Sequence, residues 1–194
     1  MRIGASAVAQ AIGARALLLL GVLSVGACAA VEFGERPGLD AVGARMPAQL
    51  AGFHLGEAAR RSGSGLVLDY ATPDRRAVGS VQVHDAPGGS APSDPAAPEI
   101  DRAVTAAVAE VAETPQGRTG RRLAERERVT LREAGLRCAI LTGAFGRAPV
   151  TRNVCVGGAD GRFVTVHVTM ADTRPPPADA TAFAAAALRA VRGG

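Results

Sequence analysis

The stretch LRCAILTGAFGRAPVTRNVCVGGADGRFVTVHVTM, Leu136–Met170, decides the fold. It holds three apolar runs, Leu136–Thr142, Val150–Gly157 and Phe163–Met170, each of strand length and bounded by turn residues. In the last run Val164, Val166, Val168 and Met170 alternate with Thr165, His167 and Thr169. That period of two marks a strand with one buried face. The connections, Gly143–Pro149 and Gly158-Ala159-Asp160-Gly161, are short and turn-rich, so the runs read as an antiparallel meander. His167 falls on the face opposite the valines, where an ordinary hydrogen-bonded histidine is expected.

Cys138 and Cys155 sit symmetrically about the first connection to within one residue. In one hairpin register they lie directly opposite, close enough for a disulfide. A one-residue slip would put them on opposite faces and forbid the bond. The bond is the favoured reading if the chain is exported; the alternative is two reduced, partly buried thiols.

Working outward, Leu50–Leu55 is a short strand candidate, and Leu66–Tyr70 and Ala77–His84 repeat the alternating pattern around the loop Thr72–Arg76. Glu57–Gly65 reads as polar and turn-like, and the Pro-, Gly- and Ser-rich Asp85–Pro98 as a mobile surface loop. Ile100, Val104, Val108 and Val111 lie on one stripe of a helix over Glu99–Glu113. Val129–Arg132 reads as a further short strand. A closing helix over Ala180–Arg192, capped by Asp179 or Thr181, turns Phe183, Ala187, Leu188 and Val191 inward. Runs of strands with interspersed helices predict an α+β domain, an antiparallel sheet of about five to seven strands covered by two helices.

The N-terminus carries an address. Arg2 and Arg15 precede an apolar run over residues 16–27, too short for a membrane span but matching the core of an export signal. It ends in Val25-Gly26-Ala27-Cys28, which resembles the lipobox of bacterial lipoproteins. The resemblance implies cleavage before Cys28, a lipid on its thiol, and a protein held at the periplasmic face of a bacterial membrane. Ala29 after the cysteine points by analogy to the outer membrane. In the alternative reading Ala27-Cys28-Ala29 is a plain secretory site and the product is soluble in the periplasm. The expected organisation is a signal peptide over 1–27, a lipid-anchored flexible tether over 28–48 and a single α+β domain over 49–194. The strand and helix order of residues 50–192 also resembles the PsbP-like fold of small exported domains, which would make the sheet one layer of a sandwich. No specific motif accompanies that likeness, and it implies no function.

Composition excludes more than it assigns. All 22 basic residues are arginine, a mark of genome bias more than of nucleic-acid binding. Losing Arg2 and Arg15 with the leader takes the formal charge from +4 to +2, too little to imply a polyanion partner. Five Phe, one Tyr and no Trp make an aromatic stacking platform improbable.

None of the three histidines, His54, His84 and His167, has a metal-site spacing, and no phosphate-loop, dinucleotide, nucleophile-elbow or C-x-x-C motif occurs. No cofactor or metal is therefore expected. His84-Asp85 is the one His–acid neighbour pair, readable as an oriented general base or as an ordinary strand end. Arg118, Arg121, Arg122, Arg126 and Arg128 could meet an anionic surface; interleaved Glu125, Glu127 and Glu133 read instead as a solvated mixed-charge face. The resulting expectation is a lipid-anchored envelope domain with a non-catalytic binding or accessory role, its partners the membrane and an envelope protein. The alternatives are a small periplasmic enzyme using His84 and Asp85, or a structural subunit joined through a sheet edge.

Overall fold

In the computed structural model, residues 36–61, 65–113 and 122–194 are described. In chain order they form α1 (Leu39–Arg45), β1 (Gln49–Leu50), β2 (Phe53–Arg61), β3 (Gly65–Ala71), β4 (Ala77–Asp85), α2 (Pro98–Glu113), β5 (Arg122–Leu131), β6 (Leu136–Phe145), β7 (Ala148–Ala159), β8 (Arg162–Ala171) and α3 (Ala180–Arg192). The strands make one eight-stranded sheet in the order β1-β2-β3-β4-β8-β7-β6-β5, with antiparallel pairing throughout. Two meanders, β1–β4 and β5–β8, thus meet where β8 pairs with β4, and α2 lies in the connection between them.

The turns explain the register. Asp160 and Gly161 both have positive φ, 49° and 70°. That is the two-residue Asp-Gly hairpin whose twist matches its strands, so β7 continues to Ala159, past the expected Gly157. The β6–β7 hairpin turns at Gly146-Arg147 and sets Cys138 against Cys155. Their sulfurs are bonded across a Cα–Cα distance of 4.0 Å.

Alternation gives the sheet two unlike faces. One carries Leu68, Val81, Val83, Val164, Val166 and Val168 beneath α3, with Phe183 wedged against Phe53 and Tyr70. Asp179 caps α3 by accepting from Ala182 N at 2.9 Å, and Gly193 closes it at φ 83°. The other face carries Ala139, Leu141, Val154 and Val156, covered by Ile100 and Val104 of α2.

Several expectations are corrected. Among the described residues the sheet has eight strands, beyond the expected five to seven, and three helices form where two were expected. The strand expected over Leu50–Leu55 is split by a turn at Ala51-Gly52, both at positive φ. The turn-like Glu57–Gly65 is occupied by strand up to Arg61, with a bulge between Leu55 and Ala58. Strand β5 starts at Arg122, seven residues before the expected Val129, as an edge strand that needs no apolar alternation.

The expected tether over 28–48 is packed in its described part. Val42 and Met46 are buried, and Arg162 Nη1 donates to Pro37 O at 2.6 Å. The compact unit therefore begins well before residue 49. The segment after β4 is likewise packed: Ala91 and Pro95 are buried, and Ala91 N donates to Gly161 O at 2.9 Å. Gly158 lets Pro92 press against the sheet, where a Cβ would collide with the Pro92 carbonyl.

Candidate functional site

Among the described residues, α2 covers only half of the face it packs on. Helix α2 packs on β5, β6 and β7, while β3, β4 and part of β8 lie beside it. Cross-strand register arranges this half in rows, Ala71–Val78–Thr169–Arg152, then Asp69–Ser80–His167, then Val67–Gln82–Thr165, then His84–Phe163, with Phe163, Thr165 and His167 buried and the β3 and β4 side chains Asp69, Val78, Ser80, Gln82 and His84 wholly or partly exposed. Val78, 48% exposed, is the large hydrophobic side chain left in the open among the described residues, and it lies on this half-face.

Two neighbouring cavities follow these rows. The first, about 480 Å³, lies over Asp69, Ser80, Arg152, His167 and Thr169. The second, about 470 Å³, lies between α2 and the sheet, with Gln82, His84, Phe163 and Thr165 on its floor and Ala103 and Ala107 on its wall. Ser80 and Gln82 are two residues apart on one strand face, so the cavities adjoin along the strand direction.

His167 is 4% exposed, and its Nδ1 lies 3.3 Å from Arg152 Nη2. A guanidinium only donates, so this contact requires Nδ1 to accept and the ring proton to sit on Nε2. His84 Nε2 lies 3.3 Å from Thr165 Oγ1, and its ring faces Phe163 at 5.8 Å.

The structure separates the expected His84–Asp85 pair. Consecutive strand residues point to opposite faces. His84 faces the second cavity, whereas Asp85 Oδ1 accepts from Arg162 Nε at 3.0 Å and pairs with Arg36 at 3.5 Å. What His84 Nδ1 meets is the Asp85 backbone carbonyl, at 3.3 Å. An imidazole oriented by its neighbour's carboxylate is therefore not the arrangement found.

The arginine cluster also divides. Arg118 and Arg121 lie outside the described residues, as does Cys28; Arg122 stands at the start of β5; Arg126 is exposed. Arg128 turns inward. It donates to both oxygens of Glu125 at 2.8 and 2.9 Å, and to Asp101 Oδ1 at 3.0 Å and Thr105 Oγ1 at 2.9 Å. Arg137 Nε reaches the same Asp101 oxygen at 2.6 Å. Hydrogen bonds from Arg128 and then Arg137 hold the Asp101 carboxyl below its ordinary pKa, and Arg128 does the same for Glu125. Glu125 in turn pushes Arg128 upward. Arg128 is thus part of a clamp joining α2 to β5 and β6, and is not presented to an outside surface.

The β5 edge of the sheet is a poor docking strip. β5 carries Arg122, Glu125, Arg126, Glu127 and Arg128, with a bulge between Glu125 and Glu127. Charges and bulges are the usual devices that oppose edge pairing.

Asp69, Gln82 and Arg152 escaped the reading of the sequence as cavity-lining residues. The available signal was the polar half of each alternating strand, Asp69 in β3, Gln82 in β4 and Thr165, His167 and Thr169 in β8. Among the described residues no three His, Cys, Asp or Glu side chains converge as a metal site, and no helix is long and apolar enough to cross a membrane. No protein-family model matches this chain, and no curated protein matches it either.

Proposed function

We propose that this chain is a non-catalytic binding module of the bacterial cell envelope, anchored through a lipid on Cys28, that takes a small ligand on the open half-face beside α2. One observation carries the reading: polar side chains of β3 and β4, Asp69, Ser80, Gln82 and His84, stay wholly or partly exposed beside a helix, and two adjoining cavities of about 480 and 470 Å³ follow them. Each falls in the ordinary size range of ligand sites. The separation of His84 from the Asp85 carboxylate favours binding over chemistry at this place. The Cys138–Cys155 bond supports export, because disulfides persist in oxidising compartments. The likeness of the strand and helix order to PsbP-like domains belongs to the same reading. An envelope protein partner, if the module has one, would be met away from the charged β5 edge.

Two experiments test this. A fragment screen on the ¹⁵N-labelled domain should shift amides of Ser80, Gln82, Thr165 and His167 together, and Ser80→Trp should abolish those shifts while the rest of the spectrum holds. Shifts clustering on another surface would sink the site. The intact mass of protein extracted from its own membranes should begin at Cys28 with acyl chains added. An unlipidated mass starting near Ala30 would make it a soluble periplasmic protein.

A further inference from the structure

We infer that the Cys138–Cys155 bond is made before α3 docks, by thiol–disulfide exchange between an unfinished chain and a disulfide-bearing oxidant. The presence of an oxidant rests on the reading of the chain as exported; the order of the two events rests on the fold. Exchange proceeds through a mixed disulfide. The thiolate of one cysteine attacks the oxidant's disulfide, bonds to one of its sulfurs and expels the other as a thiolate. The second cysteine then attacks the chain's own sulfur in that mixed disulfide and expels the oxidant's remaining thiolate. Two electrons and two protons pass from the cysteine pair to the oxidant, which leaves with its disulfide reduced.

Each step needs a foreign sulfur to touch Cys138 or Cys155, and in the finished domain neither can be reached. They are 3% and 2% exposed, in the cluster that also holds Ala184, Ala187 and Leu188 of α3. Helix α3 packs on β7 and β8 over this face. Two glycines fix its line across the sheet. Phe183 presses on Gly79 in β4 and Leu188 on Gly157 in β7, each so closely that an added Cβ would lie 2.7 Å from the ring or from Leu188 Cδ2. Gly157 is two residues from Cys155 on the same strand face, so Leu188 stands beside the bonded pair.

What the exchange requires is present earlier. β6 and β7 turn at Gly146-Arg147, and their register, from Phe145↔Ala148 to Arg137↔Val156, sets the two cysteines opposite without another strand. A hairpin closes in about 1–10 μs. Seating α3 also needs β4 beside β8, where Val81 meets Val166 from far along the chain. Such long-range pairing is the slow part of folding. Helix α3 is also the last described element in chain order, so it is completed after the hairpin as the chain is made.

The test takes the chain from residue 28 onward, with Cys28→Ser so that no third thiol competes, reduced and unfolded in urea. In one arm the urea is diluted out in the presence of glutathione disulfide. In the other the chain folds for an hour without oxidant before the same glutathione disulfide is added. Bond formation is followed by alkylation of remaining thiols and intact mass. Folding first should slow it about 100-fold or more, the effect of an opening that exposes the thiols about one part in 100 of the time. Equal rates from a chain that circular dichroism shows to be folded would overturn the inference. A reduced chain that stays unfolded until oxidised would support it, since α3 then docks only on the bonded chain.

Two variants identify the barrier. Leu188→Ala and Ile100→Ala each remove a fully buried side chain, one under α3 and one under α2 on the opposite face. In the folded reduced chain Leu188→Ala should speed oxidation about 30-fold or more, and Ile100→Ala less than about threefold. Equal acceleration would mean that the thiols are reached only by unfolding of the whole domain, and would overturn the role of α3. If Leu188→Ala does not fold, Asp179→Ala removes only the α3 cap and should still give about fivefold. These arms do not depend on where the chain works, so their failure leaves the export reading standing, and an unexported chain would leave the order standing.

Discussion

Reducing the Cys138–Cys155 bond should cost the domain about 3 kcal/mol of stability, and the loss should come from the unfolded chain. The two cysteines are 17 residues apart in sequence. In the chain-entropy model, closing a loop of that length removes about 10 cal/mol/K from the unfolded ensemble, or about 3 kcal/mol at 25 °C. The folded state changes little: both residues are nearly buried, at 3% and 2% exposure, and their strands are already held in register on both sides of the pair. For a domain of this size the loss corresponds to a fall in Tm of about 6–12 °C. The assay is urea unfolding by circular dichroism on oxidised and fully reduced protein, which contain the same side-chain atoms apart from the bond and two hydrogens. The reduced protein should show a lower midpoint and a steeper dependence on urea, because an uncrosslinked chain exposes more surface when it unfolds. A loss below about 1 kcal/mol with an unchanged slope would refute the reasoning and place the bond's effect in the folded state.

Three other perturbations follow from the geometry. The Asp101 and Glu125 carboxyls titrate below their ordinary range because of Arg128 and, for Asp101, Arg137. The stability they add is therefore present above an unfolded carboxylate pKa of about 4 and lost as pH falls through the lowered folded values. Asp101→Asn should flatten the fall in urea midpoint between pH 5 and pH 2 relative to the parent, and an identical pH profile would contradict the clamp. Gly79→Ala would set a Cβ 2.7 Å from Phe183 Cε1, displacing a ring that also packs on Phe53 and Tyr70. It should cost about 1–3 kcal/mol in denaturant unfolding, and a neutral result would mean that α3 shifts freely. Gly158→Ala should lift the Pro92 segment from β7, read as faster hydrogen exchange at Ala91 N, which donates to Gly161 O.

What the sequence made legible was whatever its local pattern controls. The β6–β8 meander, the pairing of the cysteines, α2 and α3 all follow from period, turn chemistry and capping within a few residues of each element. The misses have tertiary causes. Helix α1 begins after Pro37-Gly38 and has Gly43 within it, a composition that reads as linker; burial of Val42 against the sheet holds it. Strand β5 is charged because its place at the edge leaves it exposed, so it lacks the apolar alternation that betrays a strand. The segment 86–97 has a mobile composition but is fixed by contacts with Gly158 and Gly161, which lie far along the chain. The site divides in the same way. His84 was visible as a candidate, but sequence adjacency to Asp85 was misleading, since neighbours in a strand face apart. Asp69 and Arg152 share a cavity only because β3, β4, β8 and β7 stand side by side, an order that neither segment encodes alone.

The unequal use of the two faces gives these pieces a common cause. Covering the polar half-face beside α2 would have required a further helix, and the apolar area that helix would bury is stabilisation the domain goes without. The opposite face offsets this. There Val81, Val164, Val166 and Phe183 are buried almost completely, and the disulfide is set among them. A cross-link of about 3 kcal/mol is a large fraction of the 5–15 kcal/mol that holds a typical domain folded. With order secured from one side, Asp69, Ser80, Gln82 and His84 can remain on a rigid sheet without being buried. Polar groups fixed on a rigid element are what a binding site needs, because little of their freedom is left to lose when a ligand arrives. If reduction of the disulfide lowers stability as expected but leaves ligand affinity at 25 °C unchanged, the cross-link serves only to keep the sheet folded. If affinity falls with it while the domain is still folded, the bond also holds the open face in its binding shape.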